Sequence, residues 1–309
     1  MTEEQGWPKI AVVGAGAVGG YFGGMLARAG APVAMIGRPA FVEAVRKNGL
    51  FLDALQFQET VRVEASTELS AARGAEVVLF CVKTTDNAAT ASELAPLLAP
   101  GALVIIMQNG VDNVEQLRAA ARLEALAAVV YIGAWVPEPG HVKHTGRGDL
   151  VFGPKNEKTE RVAALFTRAG VPCRISDNID GELWIKLIAN CALNAASALG
   201  NVKYGKIAAS EDARKVVENL VDEVLAVARA AGVHPPGVED PKAALAGALK
   251  IATQMTEAFS STAQDMQRGK RTEIDSLNGY IARRGAELGV PTPVNHALYT
   301  LVKLAEGRS

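Results

Sequence analysis

Residues 9–14 form a short, continuous apolar stretch rich in β-branched side chains, and they run straight into Gly14-Ala15-Gly16-Ala17-Val18-Gly19. A helical pattern over residues 17–29 follows, closed by Gly30. Few folds accept a strand that feeds a helix through so tight a glycine turn. One glycine lets the chain reverse, and another lets a backbone approach a pyrophosphate. The helix N-terminus then offers unpaired N–H groups to the anion. A glycine-rich turn without a ligand is the plainer alternative, and the strand-to-helix setting argues against it.

The rest of the N-terminal half repeats the theme. Apolar stretches at residues 33–36, 76–82, 103–107 and 127–132 read as strands, with helical stretches between several of them. Such strands alternating with helices predict an α/β domain, a Rossmann-type, doubly wound and mostly parallel sheet covered on both faces. Residues 51–63 look like a hairpin or irregular insertion, and residues 150–152 like an added antiparallel strand. Beyond about residue 175 the chain becomes rich in Ala, Leu, Glu and Lys with helical periodicity, which predicts an all-α C-terminal domain. The polar run Ser176-Asp177-Asn178 marks the boundary, giving domains 1–177 and 178–309. A length of 309 residues suits two cores better than one.

Charge and cysteine content exclude several classes. With 32 Lys and Arg against 33 Asp and Glu, the chain lacks the basic excess that binding nucleic acid requires. Cys81, Cys173 and Cys191 are odd in number, far apart and set among apolar neighbours, so neither a disulfide framework nor a metal site is expected. Residues 1–8 are polar and acidic and do not read as a secretory leader. The longer apolar stretches are broken by Gly, Pro, Lys or Asn before they reach the ~20 residues that span a bilayer. A cytoplasmic protein without a membrane or nucleic-acid partner is the expectation.

The second strand selects the cofactor. Dinucleotide sites for NAD usually carry an acid at its end, about 20 residues past the glycines, to bond the ribose 2′-hydroxyl. Here the chain reads Val33-Ala34-Met35-Ile36-Gly37-Arg38, with no acid. Arg38 offers a planar fork suited to a 2′-phosphate, so NADP(H) is expected over NAD(H). A solvated loop arginine is the alternative. Two further strand ends, Val82-Lys83-Thr84 and Gln108-Asn109-Gly110, place Lys83 and Asn109 where ligands of open α/β sheets bind, although either could merely begin a loop.

The segment over residues 182–199 is apolar around nearly its whole circumference, as a buried helix should be. Within it Lys186, Asn190 and Asn194 recur every fourth residue and share one stripe. Burying unpaired amides and an ammonium costs several kcal/mol, so the stripe must meet a polar surface, line a solvated cleft, or face bulk water. Two Asn residues gain nothing from an exposed helix interior, which favours the cleft. A second polar cluster comprises Ser260-Ser261-Thr262 and Thr272-Glu273-Ile274-Asp275. Thr272 reads as an N-cap, with Glu273 in the first turn of a helix ending near Gly289. The macrodipole alone would favour an acid there, so by itself Glu273 reads as structural.

Taken jointly, the Gly14–Gly19 turn, Val82-Lys83, Gln108-Asn109-Gly110, Trp184-Ile185-Lys186-Leu187 with Asn190 and Asn194, and Thr272-Glu273-Ile274-Asp275 with Asn278-Gly279 resemble the ketopantoate reductase family across nearly the whole chain. The resemblance implies an NADPH-dependent oxidoreductase that reduces a small 2-oxo acid, 2-dehydropantoate to (R)-pantoate in pantothenate and coenzyme A biosynthesis. It also implies roles. Lys186 is then the catalytic lysine and Glu273 assists it and contacts the cofactor. Asn190 and Asn194 hold the substrate, Ser261 meets its carboxylate, and Lys83 and Asn109 bridge cofactor and substrate. Tyr204 departs from the pattern, standing where family members often show Asn before a Gly, which leaves the substrate open within the 2-oxo acids. The expected partners are that small molecule and, as one option, a second copy of the chain in a homodimer.

Two other readings cover part of the pattern. β-Hydroxy acid dehydrogenases join a dinucleotide domain to a helical domain with Lys and Asn one turn apart, but Gln108-Asn109-Gly110 and the Thr272-Glu273 cluster favour the reductase. A non-enzymatic NADPH-sensing regulator would leave the Lys186 stripe unexplained.

Overall fold

A computed structural model of the chain describes residues 6–306. The leader reading of residues 1–8 therefore falls largely outside the described residues. Two compact units are present: Met1–Gln108 with Asp112–Ile179, and Asn109–Val111 with Asp180–Ser309. Sequence reasoning placed a single break at residue 177; it did not anticipate that three residues after the fourth apolar strand group with the helical unit.

In the first unit the strands are β1 (Ile10–Val13), β2 (Val33–Ile36), β3 (Leu50–Asp53), β4 (Gln58–Val61), β5 (Glu64–Ser66), β6 (Val77–Phe80), β7 (Leu103–Ile106), β8 (Ala125–Trp135), β9 (His141–Phe152) and β10 (Cys173–Ile175). Helices α1 (Ala17–Arg28), α2 (Pro39–Asn48), α3 (Asn87–Leu94), α4 (Asn113–Ala121) and α5 (Glu157–Arg168) lie between them. The sheet order is β4-β3-β9-β8-β7-β6-β1-β2-β5, with β10 beside β9. From β5 to β8 every pairing is parallel. β1, β2, β6 and β7 are buried at every position, which is why they read as unbroken apolar runs. The insertion at residues 51–63 is the antiparallel hairpin β3–β4.

The strand expected at residues 150–152 is only the last part of β9, which pairs antiparallel with β8 from Ala128 to Trp135. Its earlier part alternates buried and exposed side chains and carries Gly146 and Gly148, so no apolar run announces it. β10 is three residues long and escaped notice for the same reason. One face of the sheet buries Phe22, Phe152 and Phe166, with Phe22 and Phe166 edge to face at 6.2 Å. Each such ring contributes about 1.5–3 kcal/mol by leaving water.

Among the described residues, the second unit is helical: α6 (Ile179–Gly200), α7 (Tyr204–Ala209), α8 (Glu211–Ala230), α9 (Pro241–Gln254), α10 (Ser261–Gln267), α11 (Asn278–Leu288) and α12 (Pro293–Glu306). α6 extends the expected helix by a few residues at its start. By length and composition it could cross a membrane, yet most of it is enclosed by the protein as a core helix is. Trp184, Leu187, Ile188, Cys191 and Leu193 of α6 form one core with Val217, Val221, Val224 and Leu225 of α8.

The expected helix start at Thr272 is corrected. A single 3₁₀ turn, Ile274–Ser276, follows Glu273, and α11 begins only at Asn278 after Leu277 leaves helical geometry (φ −112, ψ −108). The Thr272 hydroxyl accepts from the Ile274 N–H and donates to the Glu306 carboxylate, so it ties α12 to this turn. Asn278 is fully buried and donates to the Cys191 carbonyl at 3.1 Å and to Asn295 Oδ1 at 2.9 Å. α11 ends as expected, with Gly289 in the left-handed region at φ 69.

Candidate active site

Each glycine of the turn answers to a different demand. Gly14 has φ 102, and a Cβ there would lie 2.6 Å from the Cys81 carbonyl carbon. The Gly14 and Ala15 N–H groups both donate to the Ile36 carbonyl, at 3.0 and 2.9 Å, which pins the turn to the end of β2. A Cβ on Gly19 would land on the Gly14 carbonyl oxygen and 2.8 Å from Val12 Cγ1, so α1 packs onto β1 only without one. Around Gly16 nothing lies within 4 Å of a Cβ, and the residue is exposed. Packing explains two of the three glycines and leaves Gly16 unexplained. Gly16 is the N-cap of α1, with no side-chain cap bond and no acid in the first turn. Free first-turn N–H groups beside an open approach fit the pyrophosphate of a dinucleotide.

The parallel register aligns Val13, Ile36, Phe80 and Ile106, so the carboxyl ends of β1, β2, β6 and β7 form one edge. Gly14, Arg38 and Lys83 follow their strands at that edge. Arg38 is exposed and forms the N-cap of α2, whose first turn also holds no acid. Lys83 is half-buried. Behind them lies an amide network that sequence reasoning missed. Gln108 Nε2 donates to the Val82 carbonyl at 2.7 Å and to Asn87 Oδ1 at 2.6 Å. Asn87 Nδ2 donates to Asn113 Oδ1 at 2.9 Å and to Gln116 Oε1 at 2.8 Å, and Gln116 donates to Asp112 at 2.9 Å. Gln108 and Asp112 flank Asn109–Val111, so the network holds both ends of that short excursion. Gln108 stood in a quoted motif, but only the fold brings Asn87 to it.

In the helical unit, Asn109 Nδ2 lies 3.4 Å from Glu273 Oε2, a long bond that joins two predicted site residues 164 positions apart. Lys186 and Asn190 are half-buried, while Asn194 is 2% exposed. Asn194 Nδ2 donates to Asn190 Oδ1 at 3.4 Å, and the Tyr204 hydroxyl donates to Asn194 Oδ1 at 2.9 Å. Of the adjacent serines, Ser260 does the structural work. It is buried, caps α10 through the Ala263 N–H and donates to the Asn194 carbonyl at 3.0 Å. Ser261 is exposed at the first position of α10. Asp275 serves α12 instead of the site, accepting from Tyr299 at 2.9 Å and Lys303 at 3.0 Å. All three cysteines are free, and burial pushes the Cys81 and Cys191 thiols well above their usual range, which makes them inert.

Residues 10–157 match the family described as "Ketopantoate reductase PanE/ApbA", and residues 178–306 match "Ketopantoate reductase PanE/ApbA C terminal". The chain belongs to the ketopantoate reductase family. It is 33% identical to the 2-dehydropantoate 2-reductase of Pyrococcus horikoshii over 304 residues, covering 96% of this chain and 97% of the relative. Among solved structures, a PanE/ApbA family ketopantoate reductase from Ralstonia eutropha is 48% identical with TM-score 0.91, covering 97% of this chain and 99% of that one. The 2-dehydropantoate 2-reductase of Geobacter metallireducens is 30% identical with TM-score 0.89, covering 96% and 99%. D-mandelate dehydrogenase, solved with NADH and anilino(oxo)acetate, shares the fold at 23% identity and TM-score 0.89, covering 97% and 98%. As a member of the ketopantoate reductase family the chain is an oxidoreductase, and the expected Rossmann-type sheet followed by a helical domain is the observed architecture.

Proposed function

We propose that this oxidoreductase uses NADPH to reduce the 2-keto group of a small 2-oxo acid, with 2-dehydropantoate as substrate and (R)-pantoate as product, a step of pantothenate and coenzyme A biosynthesis. The observation that carries the reading is the approach of Asn109 to Glu273 in the same compact unit as the Lys186 stripe. It brings two separately predicted site residues together across 164 positions.

When bound, the cofactor would supply a hydride for the keto carbon. Gly14, Ala15, Gly16, Ala17, Val18 and Gly19 would hold its pyrophosphate at the α1 N-terminus. Arg38, beside the acid-free first turn of α2, would take the 2′-phosphate. Lys83, Asn109 and Glu273 would position the nicotinamide end. Lys186, as ammonium, bonds the carbonyl oxygen and gives it a proton as negative charge develops there; water then restores the proton to the lysine. General-acid transfer of this kind contributes ~10²- to 10⁴-fold. Asn190 and Ser261 would hold the substrate's polar groups, with Asn194 buried behind Asn190, so that its keto carbon keeps one orientation.

The test is a panel of 2-oxo acids, including 2-dehydropantoate, assayed by loss of NADPH absorbance. Highest kcat/KM on 2-dehydropantoate supports the full proposal. Preference for another 2-oxo acid removes the substrate assignment, and no turnover with any of them removes the reaction.

A further inference from the structure

We infer that Tyr204 is a positioning residue that fixes which end of the Asn190 amide meets the ligand, so that the site selects a substrate group that accepts a hydrogen bond. The inference rests on the reading above that Asn190 touches the substrate.

Tyr204 is 9% exposed and opens α7, where its N–H donates to the Ala258 carbonyl at 2.9 Å. Burial pushes its phenol well above the ordinary range, so the hydroxyl keeps its proton. That proton goes to Asn194 Oδ1 at 2.9 Å. An amide whose oxygen is so engaged must turn its Nδ2 the other way, and Asn194 Nδ2 donates to Asn190 Oδ1 at 3.4 Å. The Asn190 oxygen is then engaged too, which leaves its Nδ2 as the outward group. Flipping Asn194 would leave the buried Tyr204 proton without this acceptor and would set the two amide oxygens against each other. An unsatisfied buried donor costs ~1–3 kcal/mol, so the relay has one strongly preferred sense. The main chain beneath it is fixed as well, since the Asn194 carbonyl accepts from Ser260 at 3.0 Å and Ser197 accepts from the Ser260 N–H at 3.2 Å.

The direction of the relay has a chemical consequence. Asn190 is half-buried and Asn194 is buried, and with its oxygen already accepting from Asn194 the Asn190 amide offers the ligand chiefly its N–H donor. A carboxylate or keto oxygen satisfies that donor, whereas a group that can only donate does not. Asn194 therefore acts on the substrate through Asn190.

Tyr204→Phe removes the hydroxyl and keeps the ring. The expected result is a roughly tenfold rise in KM for 2-dehydropantoate, the size of one net hydrogen bond, with kcat within about threefold and NADPH affinity unchanged. Asn194→Asp keeps the acceptor for Tyr204 but loses the donor to Asn190, and the same KM rise is expected, which covers the case in which Tyr204→Phe folds poorly. The deciding measurement is a double-mutant cycle. In an Asn190→Ala background Tyr204→Phe should have no further effect on KM, because the group it orients is gone. A general structural weakening would add to the Asn190→Ala loss instead. Additive losses, or an unchanged KM in both Tyr204→Phe and Asn194→Asp, overturn the inference while leaving an active wild type and the functional reading intact. A wild-type protein inert toward every 2-oxo acid overturns both.

Discussion

Alanine substitution of the three turn glycines separates architecture from ligand binding. At Gly14 the left-handed φ of 102 costs a side chain ~1–2 kcal/mol. Its Cβ also falls 2.6 Å from the Cys81 carbonyl carbon, an overlap with backbone that cannot rotate away and adds ~1–3 kcal/mol. Gly14→Ala should thus lose roughly 2–5 kcal/mol, a large share of the 5–15 kcal/mol that holds a typical domain. Gly19→Ala meets the Gly14 carbonyl oxygen and Val12 at ordinary φ, and should lose ~1–3 kcal/mol. Gly16 has φ −87 and empty space around it, so Gly16→Ala should stay within ~1 kcal/mol of wild type. Its methyl would instead stand in the path of the pyrophosphate. Losing one charge-assisted hydrogen bond of ~1.5–3 kcal/mol weakens NADPH binding ten- to a hundredfold or more. Urea unfolding of the cofactor-free proteins, set beside NADPH titration by nicotinamide fluorescence, reads both quantities. A Gly16→Ala protein that is stable and binds NADPH like wild type would refute the assignment of this turn to the cofactor.

Two further predictions follow from the charges. Arg38→Ala should weaken NADPH binding about ten- to a hundredfold and leave NADH nearly unaffected; equal losses for both cofactors would remove Arg38 from the 2′-phosphate site. Burial pushes the Asp275 and Glu306 carboxyls up, but hydrogen bonds and the charge of Lys303, with Tyr299 and Thr272, outweigh it and hold both below the ordinary range. Depressed folded values stabilise the protein above the unfolded values of about 4, and that stability is lost as pH falls through the folded ones. Lys303→Met should therefore lower the urea midpoint at pH 7, with the gap from wild type closing below about pH 4; a gap independent of pH would contradict this.

The sequence revealed the parts of the fold whose physics is local. β1, β2, β6 and β7 are buried on both faces and so are apolar at every position, and α6 shows its burial in the same way. β9 was hidden because one of its faces meets solvent for half its length. The Thr272 helix start failed because the turn its hydroxyl caps, at the Ile274 N–H, stops at Ser276, where Leu277 leaves helical geometry. Among the candidate site residues, the stripe of Lys186, Asn190 and Asn194 needed only helical spacing to be seen. The partners of Asn87 and Tyr204 were not legible, although Tyr204 stood out as a departure: each meets an amide placed there by the fold, 21 positions away for Asn87 and Gln108. The choice between Ser260 and Ser261 likewise turns on which hydroxyl faces inward, and neighbouring positions do not disclose that.

The proposed reduction at the keto carbon assigns the proton donation to Lys186. Single-turnover oxidation of saturating NADPH by 2-dehydropantoate in Lys186→Ala measures that step apart from binding and release. The account predicts a rate ~10²- to 10⁴-fold below wild type with NADPH affinity unchanged. A rate within a few-fold of wild type at the same NADPH occupancy would contradict it.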